Sequence, residues 1–99
     1  MSLQGSFKEK TNIRIKEPKK YQVVMLNDDF TTMDFVVSVL VDIFKIDPVK
    51  AEQIMLTVHR NGKAVVGVYP YDIAVTKTNA AMERAKIEGF PFRMLVEEA

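Results

Sequence analysis

Tyr21-Gln-Val-Val-Met-Leu26, Asn27-Asp-Asp-Phe-Thr-Thr-Met33 and Phe35-Val-Val-Ser-Val-Leu-Val-Asp-Ile-Phe44 follow one another with only Asp34 between the last two. The first segment is short, β-branched and aromatic, which predicts a strand. The third places Val36, Val39, Leu40, Ile43 and Phe44 on one face at helical spacing. Thr31, three residues before Asp34, makes a variant of the capping box and is expected to open that helix. Asn27, Asp28 and Asp29 are thereby held at a strand-to-helix turn, as hydrogen-bond acceptors carrying negative charge. Such a cluster suits a cationic donor, such as an ammonium group.

Beyond this junction, Asp47 can cap a second helix, Pro48 fits its first position and Asn61-Gly62 supplies a left-handed stop. Ala51, Ile54, Met55 and Val58 follow the i, i+3, i+4, i+7 rule. His59, the sole histidine, stacks on Met55 at the edge of that stripe. Ala64 to Tyr69 reads as a strand ended by Pro70, and Asp72 is expected to cap a third helix running to Gly89. That helix offers a shallow packing surface of Ala74, Ala80, Ala81, Met82 and Ala85. Phe92 to Val96 reads as the last strand. The order β-α-α-β-α-β predicts an α+β domain, with a small, mainly antiparallel three-stranded sheet packed against three helices. Phe7 to Lys20 is Lys-rich and lacks apolar periodicity, so residues 1–20 are expected to be a flexible arm ahead of a domain at 21–99.

Composition narrows the function. The 99 residues suffice for one core. Fourteen Lys and Arg against 13 Asp and Glu give a net charge of +1, which argues against a nucleic-acid or anionic-membrane partner. With no cysteine, disulfides, thiolate metal sites and cysteine nucleophiles are excluded. No apolar run approaches the roughly 20 residues of a membrane span, and no secretory h-region is evident, so a cytoplasmic location is expected.

The polar groups of the turn admit several chemistries. Asp29 and His59 could act as acid and base, or Asp28, Asp29 and His59 could hold a metal. Against catalysis, there is no second histidine, no Gly-x-Ser-x-Gly turn and no phosphate-binding glycine loop. The metal set lacks a spacing signature. Taken alone, the acidic residues read as turn and cap chemistry.

The whole pattern carries more. Val24-Met-Leu-Asn-Asp-Asp-Phe-Thr-Thr-Met-Asp-Phe-Val36, then Ala51-Glu-Gln-Ile-Met-Leu-Thr-Val-His-Arg-Asn-Gly-Lys63, then Glu88-Gly-Phe-Pro-Phe92 resembles the ClpS family of adaptor proteins over about residues 21 to 98. The resemblance implies a non-enzymatic adaptor without cofactor or metal. Such an adaptor binds proteins with a free bulky hydrophobic N-terminal residue (Leu, Phe, Tyr or Trp) and delivers them to the ClpA unfoldase of the ClpAP protease, the bacterial N-end rule.

By the same resemblance, Asn27, His59 and one or both of Asp28 and Asp29 would hold the substrate's α-amino group. Met33, Val36, Met55, Val58 and Phe92 would line the pocket for its first side chain, with Thr31 shaping the turn. Met33 matches the position that restricts β-branched residues. Phe92 stands where leucine is frequent and is expected to narrow the pocket. Thr32 replaces a frequent proline. Asp72, Thr76 and Lys77 match the face that docks on ClpA, and the arm matches the extension fed toward the unfoldase. The alternative reading is a non-catalytic interaction domain resembling the C-terminal domain of the ribosomal stalk protein.

Overall fold

The computed structural model describes residues 18–99. They form β1 (Lys20–Leu26), α1 (Met33–Asp42), α2 (Pro48–Asn61), β2 (Lys63–Pro70), α3 (Tyr71–Glu88) and β3 (Arg93–Glu98). The fold is α+β, as expected. β1 lies in the middle of an antiparallel sheet of order β2-β1-β3. It begins one residue before Tyr21, and Lys19 pairs with Glu98 across the sheet at 3.2 Å. The rest of the expected arm, residues 1–17, lies outside the described residues.

Val23 and Met25 of β1 point into the core, where they meet Phe35, Val39, Leu40 and Phe44, Ile54 and Val58 of α2, and Val66 and Met94 of the outer strands. A bulge between Val23 and Val24 shifts the β1–β2 register. Val24 faces the other side of the sheet, between its register partners Val65 and Leu95. α3 buries Ala74, Thr78, Ala81 and Ala85, a stripe of small side chains that lets its backbone approach closely. Ala80, named in the expected surface, is exposed.

Helix ends follow local chemistry, with two corrections. α2 has the expected limits: Asp47 Oδ2 accepts from the Val49 N–H at 3.1 Å, and Gly62 stops the helix at φ +88°. α1 is capped by Thr32, whose Oγ1 accepts from the Phe35 N–H at 3.2 Å, and not by Thr31. Thr31 is already committed to Asp28. α3 starts at Tyr71 behind Pro70, whose fixed φ suits the entry. Asp72 therefore lies inside the first turn and caps nothing. α1 ends without glycine, as Lys45 adopts φ +57° and the Ile46 N–H reaches the Leu40 carbonyl at 3.0 Å.

Candidate functional site

The turn after β1 is built by one carboxylate. Asp28 Oδ1 accepts from the N–H groups of Phe30 (2.8 Å) and Thr31 (2.7 Å), and Oδ2 accepts from Thr31 Oγ1 (2.7 Å). This is an Asx turn reinforced by a hydroxyl. Burial pushes the Asp28 carboxyl up, but the bonds from Thr31 N–H, Thr31 hydroxyl and Phe30 N–H together outweigh it and hold the group below its ordinary value. Asp28 is thus charged at neutral pH. A carboxylate has about four lone-pair directions, and three are used here, so one remains for a further donor.

A second link brings the distant helix to this turn. The Asn27 N–H donates to the Gly62 carbonyl at 2.9 Å, tying the end of β1 to the stop of α2. His59 sits in the last turn of α2, just before that stop. The sequence marks Gly62 as a helix terminator only. Its carbonyl also sets where the imidazole lies relative to Asn27, a role with no sequence signature.

These constraints enclose a cavity of about 220 Å³ lined by Asn27, Asp28, Asp29, Thr31, Met33, Val36, Met55, Val58 and His59. Its volume is below the roughly 300–1,000 Å³ of pockets for drug-sized ligands, and suits a single side chain. One part of the lining is polar, from the turn and His59. The other is apolar, from Met33 and Val36 of α1 and Met55 and Val58 of α2. Among the described residues no hydrogen bond engages the side chains of Asn27, Asp29 or His59. Nor does any group of three His, Cys, Asp or Glu side chains stand placed to hold a metal.

Phe92 lies elsewhere. It is buried in the core, where its ring packs edge-on against Phe35 at 5.6 Å, and Phe35 in turn meets Phe90 at 4.9 Å. The aromatic cluster draws the ring away from the cavity wall, so the expected narrowing has no direct contact behind it. Asp72 and Thr76 are exposed on α3. Lys77 is partly buried: its Nζ donates to the Ile43 carbonyl at 2.9 Å and lies 6.0 Å from the Phe44 ring centre and 5.9 Å from that of Tyr69. Among the described residues no helix is long and apolar enough to cross a membrane.

The chain was compared with known families, sequences and structures. The family described as ATP-dependent Clp protease adaptor protein ClpS matches residues 16–95. The Clp protease adapter ClpS of Clostridium acetobutylicum is 44% identical, with 99% of both chains covered. That of Acetivibrio thermocellus is 47% identical over 98% of both, and that of Neisseria meningitidis 48% identical over 89% of this chain and 85% of its own. Among solved structures, Agrobacterium tumefaciens ClpS2 bound to L-phenylalaninamide superposes with a TM-score of 0.81 at 41% identity, covering 84% of this chain and all of that one. Near-full-length identity of this order, joined to a common fold, places the protein: it belongs to the ClpS family of adaptor proteins of the ATP-dependent Clp protease.

Proposed function

We propose that the protein binds polypeptides bearing a free, bulky hydrophobic N-terminal residue (Leu, Phe, Tyr or Trp) and hands them to the ClpA unfoldase of ClpAP. The observation that carries this reading is the two-part lining of the cavity: acceptors from Asn27, Asp28, Asp29 and His59 beside apolar groups from Met33, Val36, Met55 and Val58. The ligand of the Agrobacterium relative, L-phenylalaninamide, combines an α-amino group with a benzyl side chain.

An α-amino group with a pKa near 8 is mainly cationic at neutral pH and offers three donors, which no internal peptide N–H can match. The carboxylate of Asp28 supplies charge and its remaining lone pair. A ring nitrogen of His59 and the Asn27 side-chain oxygen supply further acceptors. Burying the first side chain contributes roughly 1.5–3 kcal/mol and each charge-assisted hydrogen bond about 1.5–3 kcal/mol. Since association entropy opposes both, neither feature suffices alone, and recognition requires them together.

Asp72 and Thr76 are the positions offered to ClpA, with the residues before Lys19 as the arm fed toward it. Lys77, already engaged with Ile43 and two rings, supports this face from beneath. The test is anisotropy with a fluorescent Leu- or Phe-first peptide, its N-acetylated twin and a Val-first control. Micromolar or tighter binding of the free peptide, lost on acetylation and weak for Val, is expected. Equal binding of all three would overturn the ammonium mechanism.

A further inference from the structure

Ala80 stands on the solvent side of α3, in the middle of a stripe that the fold leaves uncovered. α3 buries Ala74, Thr78, Ala81 and Ala85. At about 100° per residue, the opposite face carries Ile73, Thr76, Ala80, Glu83 and Ile87. All five are exposed, Ile73 to 42% and Ile87 to 77%. The two isoleucines lie equally far from Ala80, one on either side, so the stripe reads the same from both ends. It is a heptad seam, large apolar groups about a small centre, without a partner among the described residues.

The charges beside the seam repeat this symmetry with opposite signs. Asp72, Asn79 and Lys86 follow one another at heptad spacing along one flank, and neither Asp72 nor Lys86 joins an ion pair among the described residues. On the other flank, Lys77 and Arg84 are engaged at the end of α1, through the Ile43 carbonyl and the Asp42 carboxylate, each at 2.9 Å. A second α3 laid antiparallel over the first, with the two-fold axis at Ala80, brings Ile73 to the partner's Ile87 and Asp72 to the partner's Lys86. Symmetry makes each of these contacts twice. A parallel copy would instead set Asp72 against Asp72 and Lys86 against Lys86. The small side chain at the crossing lets the helix axes approach to about 8 Å.

We propose that the outer face of α3 is a self-association surface, through which two copies of this chain form an antiparallel, two-fold symmetric dimer crossing at Ala80. From Ile73 to Ile87 the contact runs about 21 Å along one helix. A single helix pair of that length covers less than the roughly 800 Å² per partner of a standard interface, so the dimer is weak, with a Kd on the order of 10⁻⁴ M. The face includes Thr76 and is flanked by Asp72, so the dimer covers the positions offered to ClpA. That consequence rests on the docking reading above, whereas the dimer itself does not.

The test is sedimentation equilibrium of the full chain from about 10 μM to about 1 mM. The mean mass should rise from the 11.3 kDa of one chain towards twice that value. Ala80→Arg sets two cations against each other at the axis and should weaken association at least ~10-fold, while arginine, a good helix former, leaves the melting temperature unchanged. Lys86→Asp should weaken it roughly 5-fold, and Asp72→Lys/Lys86→Asp should restore it to within about twofold. Because the chain has no cysteine, Ala80→Cys carries a single thiol, which mild oxidation should cross-link between copies faster than that of Glu52→Cys on α2. Should Ala80→Arg melt early, the charge swap and the cross-link decide. A mean mass that stays at 11.3 kDa at the highest concentration would overturn the proposal. So would a dimer indifferent to these substitutions or equal cross-linking of the two cysteine variants, which would put self-association on another face, such as the sheet surface around Val65 and Leu95.

Discussion

Asp28 braces the turn and, in the proposed mechanism, also supplies charge to the ligand, and one substitution separates the two roles. In Asp28→Asn the amide oxygen can still accept from the Phe30 and Thr31 N–H groups, where Oδ1 now does at 2.8 and 2.7 Å, and the NH2 can donate to Thr31 Oγ1, where Oδ2 now accepts at 2.7 Å. The turn keeps its shape. The negative charge is what disappears. The lone pair left for a ligand ammonium is on Oδ2, which the substitution replaces with a donor, so the whole charge-assisted bond of about 1.5–3 kcal/mol is lost, roughly 10- to 150-fold in Kd. Asp28→Ala removes the brace as well and should cost an additional 1 kcal/mol or so of stability, near the low end for cap removal because the group is partly exposed. Anisotropy with a Phe-first peptide reads the first effect, and urea unfolding reads the second. Binding by the Asn variant within twofold of wild type, or equal stability loss in the Asn and Ala variants, would refute the division of labour.

Acid stability should show the same brace. Because the folded Asp28 carboxyl lies below its ordinary 3.8, the unfolded chain binds more protons between the two values. The contribution is fully present above pH 3.8 and lost as pH falls through the folded value; Tm against pH should fall less steeply in Asp28→Asn. Peptide binding should also weaken above about pH 8, where the α-amino group of the ligand loses its charge. Met33 lines the cavity at the first position of α1, so Met33→Ala should raise affinity for Ile- and Val-first peptides while changing Leu-first binding little, measured with the same peptide series. Gly67→Ala would place a Cβ 2.6 Å from the Tyr69 hydroxyl and 2.9 Å from Cζ, and should cost about 1–3 kcal/mol in urea unfolding as the ring is displaced from Phe44. Lys77→Met keeps the aliphatic stem but orphans the Ile43 carbonyl and removes the cation above two rings, an expected loss of about 1–2 kcal/mol in the same assay.

The sequence was legible where structure is set locally. α2 ends where expected because Asp47, Pro48 and Gly62 act on their own backbone neighbours. The start of α1 was misread by one residue because two threonines stand together, and Asp28 claims the hydroxyl of the first. Asp72 is chemically able to cap, but Pro70 begins the helix two residues earlier. Phe92 lies outside the cavity lining for a different reason. Whether an aromatic residue near a pocket turns to the pocket or to the core depends on Phe35 and Phe90, which are distant or adjacent in sequence with no pattern to rank them. The cavity residues were readable through the motif as a whole, since spacing alone does not bring Asn27 to His59.

The tie between the Asn27 N–H and the Gly62 carbonyl is made entirely by main-chain atoms. The frame of the site therefore does not depend on what side chain position 27 carries, so long as the residue is not proline. Scaffold and reading surface can change separately. Asn27, Met33 or Met55 can be exchanged, and the lining of the cavity altered, without refolding the turn that presents them. Loss of the left-handed residue at position 62 would instead shift the Asn27 and His59 sides of the cavity together.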